Sequence, residues 1–280
     1  MTTTLRRRIT GEYSLATGEA AAHRLGILHQ VYGPGTRGLL KRAGVASDMH
    51  VADMGCGVGT VTAELARVVG STGRVVGIDV SGDQLAQARD RLAGPAYVHV
   101  SFVEASATDT TLPDASFDLI YCRFLLLHLV EPHKALREVH RLLRPGGIIV
   151  CEDGDLTSAG SEPPSALGLF AELFGRLGPT RSVDYTLGRR LYHVVRQAGF
   201  ASPEITFNQP VFASGDRKRL LELSVAEAGE AFIQAGLISP EALEAGLAAM
   251  REANEDETVL ALMPRMAQVW ARKSEGALAA

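Results

Sequence analysis

The fold is decided by a ten-residue stretch, VADMGCGVGT at residues 51–60. A short apolar run leads into this stretch and a helical pattern follows it, so its glycines join a buried strand to a helix. Glycine lets the chain turn sharply and lets a ligand approach the backbone, and the first turn of the helix leaves backbone amides without helical partners. The stretch therefore predicts a ligand-binding turn between a strand and a helix.

The chain on both sides of this turn alternates strands with helices. The predicted strands are residues 50–53, 74–79, 98–103, 117–122 and 148–152. Such alternation predicts an α/β fold with a doubly wound, mostly parallel sheet of the Rossmann-like kind. A further strand is predicted at residues 204–212, antiparallel at the sheet edge.

The flanking sequence divides the chain into four regions. Residues 1–44 predict a helical N-terminal cap, in which the Gly-Pro-Gly sequence at 33–35 should separate two helices. Residues 45–155 hold the ligand-binding core, and residues 156–214 hold an insert followed by the last helix and strand of the sheet. Residues 215–280 predict a helical C-terminal segment that caps the site or contacts another subunit. A homo-oligomer is therefore one possibility.

Composition and charge restrict the functions open to this chain. The 280 residues include 28 basic and 32 acidic side chains, which gives a formal net charge of −4 and no general attraction to nucleic acid or anionic lipid. No apolar run approaches the ~18 residues of a membrane span, and no secretory signal is visible. The three cysteines show no CxxC spacing, which favours buried, reduced thiols. We expect a cytoplasmic protein that binds neither nucleic acid nor membranes.

Two classes of ligand compete for the glycine turn. A dinucleotide site has the spacing GxGxxG, whereas the spacing here is GxGxG and Thr60 stands where the third glycine would fall. Asp53 comes directly before the glycines, where its charge would repel a pyrophosphate and attract an α-ammonium group. Asp79 ends the next strand, where a carboxylate can accept hydrogen bonds from ribose hydroxyls. These features favour S-adenosylmethionine (SAM) over NAD.

Taken together, several segments resemble the class I SAM-dependent methyltransferases. The segments are VADMGCGVGT (51–60), VVGID (75–79), FVEASATDTTLPDASFDLIY (102–121) and LLRPGGIIVCED (142–153). The resemblance implies an enzyme that binds SAM, transfers its methyl group to a small-molecule acceptor and releases S-adenosylhomocysteine. Secondary metabolism is one setting for such a reaction.

The resemblance also implies which residues bind the cofactor. Asp53 and the glycine loop would hold the methionyl end, and Asp79 with Val80 would hold the ribose and adenine. The glycine-loop residues in this set are Gly55, Cys56, Gly57 and Gly59.

The adenine edge and the cap supply further candidates. The resemblance places Ser106 and Ala107 at the adenine edge, where many relatives carry Asp instead of Ser106. A neutral hydroxyl should bind the adenine amino group less strongly than a carboxylate does. Tyr13 and Gln30 of the N-terminal cap are candidates to close over SAM.

His128 is the candidate catalytic residue. It follows the fourth predicted strand, at the edge of a parallel sheet where ligands collect, although a hydrogen-bonded core histidine fits the pattern equally well. A general base is needed only if the acceptor must lose a proton, so the sequence does not decide whether O, N or C is methylated.

Two other readings of the site remain open from the sequence. Glu152, Asp153 and Asp155 follow the fifth predicted strand without the His or Cys spacing of a metal site, and we expect no metal. A protein with the same SAM contacts could instead catalyse a reaction such as a cyclisation, or bind SAM without catalysis.

Overall fold

The structure of this protein, a computed structural model, describes residues 19–274, with side chains from residue 23 onward. The helices are α1 Glu19–Arg42, α2 Thr60–Val69, α3 Gly82–Arg91, α4 Pro132–Leu142, α5 Leu169–Thr180, α6 Leu191–Gln197, α7 Leu220–Glu227, α8 Gly229–Gln234 and α9 Pro240–Glu255. The strands are β1 His50–Met54, β2 Arg74–Asp79, β3 Val100–Glu104, β4 Phe117–Arg123, β5 Leu143–Asp155, β6 Gly160–Glu162, β7 Ala201–Asn208, β8 Val211–Phe212, β9 Leu260–Leu262 and β10 Arg265–Arg272.

A seven-stranded sheet in the order β3-β2-β1-β4-β5-β10-β7 carries the fold. Strands β1 to β5 are parallel, which confirms the predicted doubly wound α/β architecture. The strand order reverses between β1 and β4, and ligands of such sheets bind beyond the carboxyl ends of the strands at that point. The glycine loop at residues 55–59 follows β1 and therefore lies at this reversal.

The sequence pattern predicted a helical C-terminal segment, but the structure shows both helices and strands in this segment. Residues 265–272 form β10, which pairs antiparallel with β5 from Arg265↔Asp155 to Arg272↔Ile148 and separates β5 from β7. Alanine and methionine favour a helix, but in this position they fill a strand that is covered on both faces. Pairing with β5 therefore outweighs the intrinsic preference of the segment.

The strand predicted at residues 204–212 is divided. Residues 201–208 form β7 at the sheet edge, antiparallel to β10 as its only partner in the described sheet order, so β7 runs in the same direction as β1 to β5. Residues 211–212 form β8, which joins a second sheet in the order β6-β9-β8. Pro210 lacks a backbone amide and stands between the two strands.

The cap helix α1 is continuous, so the predicted break at residues 33–35 is wrong. Pro34 lies inside the helix, and the glycine after it serves a different purpose. A Cβ atom at Gly35 would overlap the side chain of Asn208, so glycine lets α1 lie directly against the sheet. At that point Thr36 is fully buried, and Tyr32 donates to the carbonyl oxygen of Pro264 at 2.8 Å.

Within residues 19–274, none of the helices combines the length and the apolar character that a bilayer crossing needs. The buried side chains form two clusters, one on each side of the main sheet. Helix α1 contributes to both clusters, with Ile27 and Val31 in one and Leu39 and Leu40 in the other. The cap is therefore part of the hydrophobic core along its described length.

Candidate active site

A cavity of about 740 Å³ lies at the carboxyl ends of the parallel strands, where the strand order reverses. Its walls come from the glycine loop, the loops after β2, β3 and β4, and helices α1, α5 and α7. Most of the predicted site residues line it. They are Asp53, Gly55, Cys56, Gly57, Asp79, Val80, Ser106, Ala107 and His128.

The glycine loop turns tightly at the end of β1. Gly55 and Gly57 have φ angles of 74° and 54°, which few residues with a side chain adopt. The backbone amides of Gly55 and Cys56 donate to the carbonyl oxygen of Ile78 at 2.7 and 3.0 Å, which fixes the loop to β2. The loop therefore presents a rigid backbone surface to the cavity.

Gly59 has a packing role that the sequence did not indicate. It precedes α2 with a φ of 74° and does not line the cavity among the described residues. A Cβ atom there would come within 2.9 Å of Leu92 Cδ1 and 3.0 Å of Ala88 Cβ. The absence of a side chain thus lets α2 and α3 pack closely, and the contact of Gly59 with the cofactor stays a prediction.

Asp79 holds the loop and still has room for a ligand. Its Oδ2 accepts from the amide of Gly57 at 2.8 Å, and its Oδ1 accepts from the amide of Ser81 at 2.9 Å. A carboxylate offers about four lone-pair directions, so these two bonds leave capacity for the two hydroxyls of a ribose. The position agrees with the predicted ribose contact.

Asp53 is a buried carboxyl group near the end of β1, just before the glycine loop. It is 2% exposed, and its Oδ2 accepts from the hydroxyl of Thr62 at 2.6 Å. Burial raises its pKa to about 6, although the Thr62 hydrogen bond and the charge of Arg123 act in the opposite direction. A cationic ligand group beside Asp53 would favour its charged form.

The adenine end of the cavity is formed by short polar and small side chains. Ser106 accepts from the amide of Thr108 at 3.2 Å, and its hydroxyl shares a 2.9 Å hydrogen bond with the Thr108 hydroxyl. These local bonds add to the weakness of a neutral group as a partner for the adenine amine. Ala107 and the 61% exposed Val80 supply apolar surface on either side.

His128 lies in the cavity wall, in a short turn that follows β4. Its ring packs edge-on against Tyr185, with 5.6 Å between ring centroids. Burial, together with the charges of Arg24 and Arg181, lowers the pKa of His128 to about 3. The ring is therefore neutral near pH 7 and can hydrogen-bond an acceptor, but it holds a transferred proton weakly. Its role as a general base stays a prediction.

Of the two candidates from the cap, only Gln30 lies within the described residues. Gln30 is exposed on α1 and is not part of the cavity wall. Tyr13 lies outside the described residues. The cap contributes other side chains instead, among them Leu25 and Tyr32.

Residues 52–151 match the family model whose description is a methyltransferase domain. The chain contains a class I SAM-dependent methyltransferase domain. The matched range begins in β1 and ends in β5, so it includes the glycine loop, Asp79 and His128.

Curated relatives match about half of this chain. The ubiquinone/menaquinone biosynthesis C-methyltransferase of Vibrio vulnificus is 34% identical over 134 residues, which cover 46% of this chain and 52% of that protein. The demethylmenaquinone methyltransferase of Staphylococcus aureus is 30% identical over 165 residues, 59% of this chain and 66% of that protein. The chain thus spans about half the length of the first of these relatives.

A solved structure shows the same fold over most of the chain. The phosphoethanolamine N-methyltransferase 2 of Haemonchus contortus, in complex with SAM, superposes with a TM-score of 0.55 and 19% identity. The match covers 90% of this chain and 57% of that one. At this identity the likeness concerns the fold alone.

Beyond the cofactor loops, the cavity of the methyltransferase domain is lined by apolar side chains from the cap, from the turn after β4 and from the C-terminal half. They are Leu25, Leu28, Leu127, Leu129, Leu156, Phe170, Phe174, Leu220 and Leu221. Polar residues in this part of the wall include His128, Glu131, Lys134, Ser224 and Arg24. The Nε of Arg24 donates to Glu227 Oε2 at 2.5 Å. This ion pair joins α1 to α7, and its side chains are 6% and 5% exposed. Sequence analysis missed the α7 residues Leu220, Leu221 and Ser224, because nothing in the pattern of the C-terminal segment shows what this helix faces.

A buried carboxylate, Glu152, anchors the cap beneath the cavity. It is fully buried and accepts from Thr36 Oγ1 at 2.7 Å, Tyr121 OH at 2.5 Å and Gln268 Nε2 at 2.6 Å. Its oxygens are thereby committed to α1, β4 and β10. Within the part of the chain that is described, no grouping of at least three His, Cys, Asp or Glu side chains could hold a metal ion.

Proposed function

We propose that this protein transfers the methyl group of SAM to a small, largely apolar acceptor, and that an electron-rich ring of the quinol type is the preferred class. One observation carries the proposal. The cavity runs without interruption from Asp53, Asp79 and the glycine loop into a space walled by leucine and phenylalanine side chains. A volume of about 740 Å³ lies in the range of small-molecule sites.

The residues of the cofactor end fit SAM. Asp53 is a buried carboxyl group whose described hydrogen bond comes from a neutral hydroxyl, so a ligand ammonium would complete its surroundings. Gly57 lines the cavity with bare backbone, and a Cβ atom there would clash with Gln84, which also lines the cavity, at 2.9 Å from its Oε1. Asp79 retains acceptor capacity for a ribose. When bound, SAM supplies an electrophilic methyl group on a sulfonium.

The chain promotes this reaction by orientation and by exclusion of water. Cap residues Leu25 and Leu28 and the α7 residues Leu220 and Leu221 cover the acceptor end, so the nucleophile and the methyl group meet away from solvent. His128 is neutral and can fix an acceptor hydroxyl by a hydrogen bond. An acceptor whose ring carbon is already nucleophilic needs no strong base from the protein.

The relatives support the acceptor class. Both curated proteins described above are named for methylation in quinone biosynthesis, one explicitly as a C-methyltransferase. An apolar wall and the neutral imidazole of His128 suit a hydroxylated aromatic ring better than a charged amine, because Glu131, the lining carboxylate outside the cofactor loops, is already paired with Lys134. A ring carbon or a hydroxyl oxygen attached to the ring is therefore the favoured methylated atom.

The test is a turnover assay with a panel of acceptors. Purified protein is incubated with SAM and with hydroquinones, phenols or alkylamines, and S-adenosylhomocysteine release and the mass of the methylated product are both measured. We expect turnover with hydroquinones, and an Asp79→Asn control should lose it through weaker SAM binding. SAM binding with no S-adenosylhomocysteine release from any acceptor would contradict methyl transfer and favour a reaction such as cyclisation.

A further inference from the structure

The cavity contains an arginine whose charge no described side chain neutralises. The arginine and lysine side chains that line it are Arg24, Arg123 and Lys134. Arg24 is paired with Glu227 and Lys134 with Glu131. Among residues 19–274, no carboxylate oxygen lies within 4.0 Å of the Arg123 guanidinium. Its described hydrogen bond is from Nη1 to Thr36 Oγ1 at 3.3 Å.

Strand register places Arg123 beside the methionyl end of the site. Tyr121 lies opposite Asp53 on β1, and Arg123 follows two residues later on the same face of β4. Electrostatics agree with this position, because the charge of Arg123 lowers the pKa of Asp53 against the larger effect of burial. A carboxyl group and a guanidinium thus face one end of the cavity from neighbouring strands.

The carboxylate that lies opposite Arg123 in the sheet already accepts three other hydrogen bonds. Glu152 is the cross-strand neighbour of Arg123, but its oxygens accept from Thr36, Tyr121 and Gln268. Arg123 is only partly exposed, and a partly buried cation without a counter-ion is unfavourable. An anionic ligand group in the cavity would remove that penalty.

We propose that Arg123 binds the α-carboxylate of SAM while Asp53 binds its α-ammonium group. The inference rests on the proposed function only in taking SAM as the ligand. The planar guanidinium can donate two parallel hydrogen bonds to a carboxylate, a geometry that lysine does not offer. Asp53 and Arg123 then match the two charges of the amino-acid portion and fix the position of the sulfonium between them.

This pairing makes Arg123 a determinant of cofactor specificity. Decarboxylated S-adenosylmethionine has the same adenosine, sulfonium and ammonium groups as SAM and lacks only the carboxylate. It would leave Arg123 without its partner, whereas Asp53 would be satisfied in both complexes. The protein should therefore reject the decarboxylated compound, and the rejection should depend on one side chain.

The experiment compares the two compounds by calorimetry on wild type and variants. Wild type should bind SAM about 10- to 100-fold more tightly than decarboxylated S-adenosylmethionine, the range expected for hydrogen bonds to a charged group. Arg123→Met should lose most of that preference by weakening SAM alone. Arg67→Met is the matched control, because Arg67 is 64% exposed on α2 and pairs with Glu64. It should keep the wild-type preference.

Each other outcome overturns a stated proposal. If Arg123→Met lowered the affinities for both compounds equally, with an unchanged melting temperature, Arg123 would have a purely structural role through Thr36. A wild-type protein without any preference would exclude a carboxylate contact at Arg123. Should the variant not fold, Arg123→Lys takes its place and should show a reduced preference. Wild type that prefers SAM but methylates no acceptor would refute the proposed function and leave the role of Arg123 supported.

Discussion

At the scale of single residues, Asp53 should make cofactor binding depend on pH. Its pKa is raised to about 6 by burial, so the carboxyl group becomes protonated as the pH falls through that value. A protonated Asp53 cannot attract an ammonium ion, and the bound ammonium must lower the Asp53 pKa in the complex. We expect SAM affinity to be highest near pH 7, where the α-ammonium of SAM is still charged, and to fall by up to about tenfold per pH unit below about pH 6. Calorimetry between about pH 5 and pH 7 measures this change in SAM affinity.

The matched variant for this test is Asp53→Asn, which keeps a hydrogen-bond acceptor for Thr62 but does not ionise. It should bind SAM more weakly at pH 7 and with no slope at lower pH. A variant that retained the wild-type slope would assign the titration to another group.

His128 should act as a neutral imidazole that takes up no further proton. Its pKa of about 3 results from burial and from the charges of Arg24 and Arg181, so the ring stays neutral throughout the usual assay range. We expect His128→Gln, which keeps hydrogen-bonding capacity, to retain turnover far better than the 10²–10⁴-fold loss typical of a missing general base. The wild-type pH–rate profile should show no ionisation that this variant removes. A loss of that size in a folded, SAM-binding variant would establish His128 as the base.

Some site residues could be predicted from sequence and others could not, for a physical reason. Asp53, Asp79 and the glycines act through neighbours close in the chain, so local spacing identifies them. Arg123 becomes significant only because Glu152 is occupied by Thr36 and Gln268, each 116 residues away from it. No local pattern contains that information.

At the scale of elements, the ion pair between α1 and α7 should stabilise the closed cavity. Arg24 and Glu227 are each about one-twentieth exposed, so removing one partner leaves a buried charge without compensation. We expect Arg24→Met to lower the free energy of unfolding by about 3–5 kcal/mol, measured by urea denaturation. The double change Arg24→Met with Glu227→Met should recover most of that loss, since two apolar side chains can replace a buried pair.

The control for this prediction is an ion pair that is exposed to solvent. Arg176 and Glu172 lie 3.2 Å apart on α5 and are 50% and 60% exposed, so Arg176→Met should change stability by less than about 1 kcal/mol. Equal effects of Arg24→Met and Arg176→Met would show that the α1–α7 pair is not buried in solution.

The elements that the sequence mispredicted share one cause. Helix α1 contains a Gly-Pro-Gly sequence that usually ends a helix, yet Gly35 is needed where the helix meets Asn208. Strand β10 has a composition that favours a helix, yet it pairs with β5 over its whole length. In both cases a partner far along the chain decides the conformation. The parallel strands were predictable because their continuous apolar runs are themselves local.

At the scale of the whole molecule, ligand choice should appear as a difference in stability. A ligand that binds only the folded state stabilises it by about 2.7 kcal/mol at 100 times its dissociation constant, which is a rise of about 5–10 °C in melting temperature for a chain of this size. S-adenosylhomocysteine should produce such a shift. NAD should not, because its pyrophosphate would face the Asp53 carboxylate and because α2 begins at Thr60 rather than at a third glycine. Asp79→Asn should reduce the shift by S-adenosylhomocysteine, while Asp83→Asn, an exposed change on α3, should preserve it. A shift produced by NAD and absent with S-adenosylhomocysteine would mean that the cavity selects a dinucleotide, against both the glycine spacing and the charge of Asp53.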